Sequence, residues 1–141
     1  MLINCFRYYA YGCMKERNEG RMKTVLLIDD DSRNIFALKA VLKSRNIRCV
    51  TSTNAAEGID LLKSDTTILA VLMDMTMPEM DGYEAISTIR RSERNTIPIV
   101  AVTAQAMVGD RDKCLAAGAD AYLAKPIDVD RLMELMNRLL M

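Results

Sequence analysis

Asp29, Asp30 and Asp31 follow directly on one apolar run, Thr24–Ile28, and Asp74 follows directly on another, Ile68–Met73. Thr103 leaves the run Ile97–Val102 in the same way, and Lys125 leaves Ala121–Ala124. Acids, a hydroxyl and an ammonium therefore stand at corresponding places along the chain. The sequence has no histidine, which removes imidazole acid–base catalysis, the usual zinc sites and a histidine phosphocarrier role. Clustered carboxylates without histidine suit a hard cation bound through oxygen, and Mg²⁺ takes few protein carboxylates while keeping waters and a phosphate. Like-charged carboxylates repel unless a cation neutralises them; a divalent ion and Lys125 would do so. The set fits phosphoryl transfer, with an Asp nucleophile, a metal, a Lys to spread developing charge and a hydroxyl to hold an oxygen. Each residue alone is explained as an ordinary turn residue. Their joint placement is not.

The elements that must position these groups alternate. The apolar runs Thr24–Ile28, Ile47–Thr51, Ile68–Met73, Ile97–Val102 and Ala121–Ala124 are each followed by a helical pattern. Continuous apolar strands predict burial on both faces, as in a parallel sheet covered by helices. The first helix has Ile35, Leu38, Val41 and Leu42 on one face, with Asp31 or Ser32 placed to cap it. The second runs from about Asn54 to Lys63 and the third begins near Tyr83. The fourth spans about Val108 to Ala117 with Gly118 as C-cap, and the last carries Leu132, Leu135, Met136 and Leu139. Such alternation with short loops implies right-handed crossovers and an open α/β sheet, whose ligands bind beyond the carboxyl ends of the strands.

The chain of 141 residues is one domain's worth. Nineteen basic residues balance nineteen acidic ones, so no global field favours nucleic acid or an anionic membrane. No apolar run approaches the roughly 18 residues of a membrane span, and the stretch from Leu2 to Cys13 lacks the basic segment and cleavage site of a signal peptide. Cys5, Cys13, Cys49 and Cys114 include no C-x-x-C pair and are expected to be small buried thiols in a reducing cytoplasm. Residues 1–21 differ in composition from the rest and are expected to be an accessory or flexible extension, with the domain occupying 22–141. Most of the eleven methionines, such as Met73 and Met136, fit core positions.

Four segments then become recognisable: Leu27-Ile28-Asp29-Asp30-Asp31-Ser32, Leu72 to Gly82, Val102-Thr103-Ala104 and Tyr122-Leu123-Ala124-Lys125-Pro126. Together they resemble the defining motifs of response-regulator receiver domains, over residues 23–140. The resemblance implies a flavodoxin-like, doubly wound, five-stranded parallel sheet in the order 2-1-3-4-5 with five helices. It implies that Asp74 is the phosphoacceptor, taking its group from the phosphohistidine of a sensor histidine kinase or a histidine phosphotransfer protein. Asp30, Asp74 and the backbone carbonyl of Thr76 would bind Mg²⁺ directly, and Asp29 mainly through water. Lys125 would pair with Asp74 and later with the phosphoryl group. Thr103 and Tyr122 match the switch pair, Pro78 and Gly82 shape the loop after the nucleophile, and Lys125-Pro126 matches a cis peptide. Ile127 departs from the aromatic residue often found there. Thr76 and Gln105 occupy positions that tune phosphoryl lifetime, and the segment from Gln105 to Asp120 looks like receivers fused to hybrid sensor kinases.

The resulting expectation is a cytoplasmic, stand-alone receiver. It is a phosphoacceptor switch rather than an enzyme, and it catalyses its own phosphorylation and dephosphorylation with Mg²⁺. Its output would pass to a downstream protein, or to a homodimer, through the face of the fourth helix, fifth strand and fifth helix, without direct nucleic-acid contact or membrane insertion. The alternative is a phosphorylation-independent adaptor with the same fold, which has no need of the acids, Thr103 and Lys125. A haloacid-dehalogenase-like phosphatase ranks last, because Thr76 stands where a second Asp would be wanted.

Overall fold

A computed structural model describes residues 22–78, 80–104 and 107–140. The expectations for residues 1–21 and for Gln105 lie outside them. Strands and helices alternate: β1 (Lys23–Ile28), α1 (Ser32–Ser44), β2 (Ile47–Ser52), α2 (Ala55–Ser64), β3 (Ile68–Asp74), α3 (Gly82–Arg90), β4 (Ile99–Thr103), α4 (Asp110–Ala117), β5 (Ala121–Ala124) and α5 (Val129–Leu139). The strands form one sheet in the order β2-β1-β3-β4-β5, and every pairing is parallel.

Alternation along the central strands divides the core in two. Leu26, Ile28, Val71, Met73, Ile99 and Ala101 point to the face covered by α2, α3 and α4, where Ile59, Leu62, Ile86, Ile89 and Cys114 meet them. Val25, Leu27, Ala70, Leu72, Val100 and Val102 point to the face covered by α1 and α5, against Leu38, Leu42, Leu132, Leu135 and Met136. Complete burial of each Leu, Ile, Val or Met side chain among them contributes about 1.5–3 kcal/mol. Ile127 packs on this second cluster, which settles how the chain enters α5 without the aromatic residue. Met73 and Met136 are fully buried.

Burial on both faces holds for β1 and β4, and for β3 apart from Leu69, but not for the edge strands. In β2 only Ile47 and Ser52 are buried, and in β5 only Ala121 and Leu123. Both lie at the margins of the sheet, where the covering helices leave them partly exposed. β4 begins at Ile99 rather than Ile97 because Pro98 has no N–H for the ladder and the Ile97 carbonyl accepts from Arg90 Nη1 at 2.7 Å. α4 begins at Asp110 rather than Val108 because Gly109, at φ 95°, turns the chain there. Asp31, Asn54, Asp81 and Asp128 each cap a helix, accepting backbone N–H groups of its first turn. Gly118, at φ 118°, closes α4 as expected.

Candidate functional site

The parallel register brings the chemistry to one edge. Ile28 lies opposite Met73, Asp74 opposite Val102, and Thr103 opposite Ala124. Backbone hydrogen bonds run one step past the strands: Asp29 N donates to Ser52 O at 3.1 Å, Met75 N to Val102 O at 2.9 Å and Lys125 N to Thr103 O at 2.8 Å. Asp29, Asp74, Thr103 and Lys125 are thus held by the sheet rather than by a free loop. Asp29, Asp74 and Thr103 are buried while Asp30 is exposed.

One carboxylate oxygen each of Asp29, Asp30 and Asp74 lie within 4.8 Å of one another. Lys125 Nζ sits 3.3 Å from Asp29 Oδ2 and 3.5 Å from Asp74 Oδ2. The ammonium is therefore shared, where sequence reasoning paired it with Asp74 alone. Burial pushes the Asp29 carboxyl above its ordinary range; the Asp31 N–H on its Oδ1 opposes this, the Asp74 charge adds to it and Lys125 opposes it. Asp74 Oδ1 accepts from both the backbone N–H and the hydroxyl of Thr76, each at 3.0 Å. That clamp was not foreseen, although a Thr two residues after an Asp is a common local partner. Its consequence is that Oδ2, the oxygen facing Lys125, is left for chemistry.

The loop after Asp74 folds back tightly. A Cβ on Gly82 would lie 2.7 Å from the Met75 backbone, so glycine is needed where α3 starts. Lys125-Pro126 is cis, as expected. Tyr122 is half-buried on the first core cluster, and burial, with Asp110 and Cys114 nearby, pushes its phenol up. Among the described residues no buried side-chain nitrogen or oxygen lacks a partner.

A five-stranded sheet of this order with an acid cluster, a lysine and a threonine at its carboxyl edge defines a receiver class of the flavodoxin-like folds. The chain belongs to that class: residues 25–137 match the Response regulator receiver domain family. It is 32% identical over 113 residues to the polar-differentiation response regulator DivK of Brucella anthropi, covering 79% of this chain and 91% of DivK. It is 56% identical over 70 residues to Histidine kinase 1 of Arabidopsis thaliana, 48% of this chain but 6% of that protein. The chain thus spans a small fraction of the length of the histidine kinase that it matches. Among solved structures, the receiver domain of the Pseudomonas aeruginosa sensor histidine kinase PA1611, with magnesium in its active-site cleft, superposes with TM-score 0.78 at 33% identity over 85% of this chain and 98% of that one. The complex of the yeast histidine phosphotransfer protein Ypd1 with the Ssk1 receiver domain matches with TM-score 0.74 at 26% identity, covering 82% and 87%. No helix of the described residues is long and apolar enough to cross a membrane.

Proposed function

We propose that this receiver accepts a phosphoryl group on Asp74 from a phosphohistidine of a sensor histidine kinase or a phosphotransfer protein. The observation that carries the reading is the buried Asp74 carboxylate, clamped through Oδ1 by Thr76 and offering Oδ2 toward Lys125. Oδ2 attacks phosphorus, and Lys125 moves its attraction from the carboxylates to the phosphoryl oxygens. The donor set fits Mg²⁺: oxygen ligands, three carboxylates and no imidazole. Asp30, Asp74 and the Thr76 carbonyl would hold the ion, and Asp29 would act mainly through water. When bound, Mg²⁺ offsets charge on the phosphoryl oxygens during transfer and hydrolysis.

The response runs through Thr103 and Tyr122. The buried Thr103 hydroxyl moves toward the phosphoryl group, and the Tyr122 ring fills the space it leaves. The phosphate biases this equilibrium only through contacts that differ between the two states. Met107, Val108 and Val129, exposed near the starts of α4 and α5, support an output or self-association face there. The single-domain reading rests on the likeness to DivK, and the Ypd1–Ssk1 complex supports a phosphotransfer partner. An adaptor that ignores phosphorylation is disfavoured by the intact clamp and lysine. Incubation with acetyl phosphate should add one phosphoryl group by intact mass with Mg²⁺ and none with EDTA; equal labelling in both would overturn the metal-assisted reading.

A further inference from the structure

Beside the carboxylates lies an open cleft of ≈ 450 Å³ walled by Asp30, Asn54, Ala55, Ala56, Met77 and Met80, among others. Its volume falls within the roughly 300–1,000 Å³ of small-ligand pockets, far more than a phosphoryl group and its cation require. The wall is mostly carbon, from the first turn of α2 on one side and the loop after Asp74 on the other. Asn54 is committed to α2: its Oδ1 accepts from Glu57 N at 2.8 Å and its Nδ2 donates to the Glu57 carboxylate at 3.3 Å. Among the described residues, Asp30 is the charged one of the lining, and it belongs to the carboxylate cluster. A guest in this cleft therefore sits next to the transfer site. The carboxylate disfavours an anionic guest, and the carbon wall favours the flat face of an aromatic ring. Met80, half-buried at the wall, adds an unbranched, polarizable side chain that reshapes to fit varied partners, and Met77 lies buried in the core beside it.

Building on the phosphoacceptor reading, we propose that this cleft is a leaving-group pocket that receives the aromatic ring of the phosphodonor while Asp74 takes the phosphoryl group. The Asp74 O–P bond forms as the donor's N–P or O–P bond breaks. The bonding pair goes to the leaving nitrogen or oxygen, so no oxidant or reductant takes part. For the protein donor the ring is the imidazole of the phosphohistidine; for a small donor it is any aryl group on the carbon side of the scissile bond.

Benzoyl phosphate and acetyl phosphate share the acyl–phosphate bond and differ in the ring, so their rates with the full chain and Mg²⁺, read by intact mass, test the pocket. Benzoyl phosphate should give about a tenfold higher kcat/KM, the scale of a small apolar group entering an apolar pocket. Ala56→Asp places a second carboxylate on an exposed position of the cleft and should bring the ratio of the two donors close to one. Independently, phenylphosphonate with Mg²⁺ should shift the Met77 and Met80 ε-methyl NMR signals, and methylphosphonate should not. Equal rates for the two donors, a ratio unchanged in Ala56→Asp, or methyl signals that ignore the phenyl ring would overturn the pocket and leave the role of Asp74 standing. No labelling by either donor would overturn the phosphoacceptor reading, and the pocket with it.

Discussion

Asp29 illustrates what the site costs. Its carboxylate is buried beside Asp74 and its proton affinity is raised, chiefly by burial. Below the ordinary value of 3.8 both the folded and unfolded chains hold the proton, and Asp29 is neutral in its effect on pH dependence. As pH rises past that value the folded chain binds more protons than the unfolded one, so stability falls until the folded group has titrated. Asp29→Asn should therefore melt higher than wild type at pH 7, with the gain shrinking as pH falls toward 3.8. Melting curves from pH 3 to pH 7 (a range of about four units) check this, and a variant that is less stable at pH 7 would contradict it. The acids, Thr103 and Lys125 were legible in the sequence because each follows an apolar run directly. The Thr76 clamp and the sharing of Lys125 were not, because both depend on side-chain rotamers and on which oxygen faces which neighbour.

At the scale of elements, α4 is the least anchored helix. Its N-cap, Gly109, makes no side-chain hydrogen bond, and its single buried side chain is Cys114. Arg90 ties its C-cap to α3, and Tyr83 ties its body: the Cys114 thiol donates to the Tyr83 hydroxyl at 3.9 Å, and Lys113 Nζ lies 4.5 Å from the ring centroid. Burial pushes the Tyr83 phenol up to about 12, with the Cys114 contact adding to it, so it stays protonated at physiological pH. Tyr83→Leu should speed amide exchange across residues 111–117 by about fivefold, for a lost contact of about 1 kcal/mol. Exchange in α1 should not change; an α4 as protected as in wild type would show that the ring is no anchor. The strand and helix order was readable because two periodicities alternate along the chain. The start of β4 was missed in part because a tertiary contact helps to set it: Arg90 occupies the Ile97 carbonyl ahead of β4, and its guanidinium also donates to Gly118 O and Asp120 Oδ2. Such a tie across 28 to 30 positions leaves no periodic signal.

For the whole molecule, zero formal net charge hides a concentration of acid at one edge, and a cation bound there should raise stability. Mg²⁺ at a hundredfold excess over its dissociation constant should stabilise the fold by about 2.7 kcal/mol. Asp30→Ala should remove most of that gain, as read by thermal melting; an equal gain in the variant would place the ion elsewhere. A chain starting at Met22 should fold and label at a similar rate, since β1 begins at Lys23 and the family match at residue 25; lost solubility would assign residues 1–21 a packing role. If Asp74 carries the phosphoryl group, the acyl phosphate it forms can be trapped chemically. Borohydride reduction after labelling with acetyl phosphate and Mg²⁺ should convert Asp74 to homoserine in the peptide map, with Asp29 and Asp30 unchanged. Homoserine at Asp29 or Asp30, or a labelled protein in which Asp74 survives reduction intact, would contradict the account.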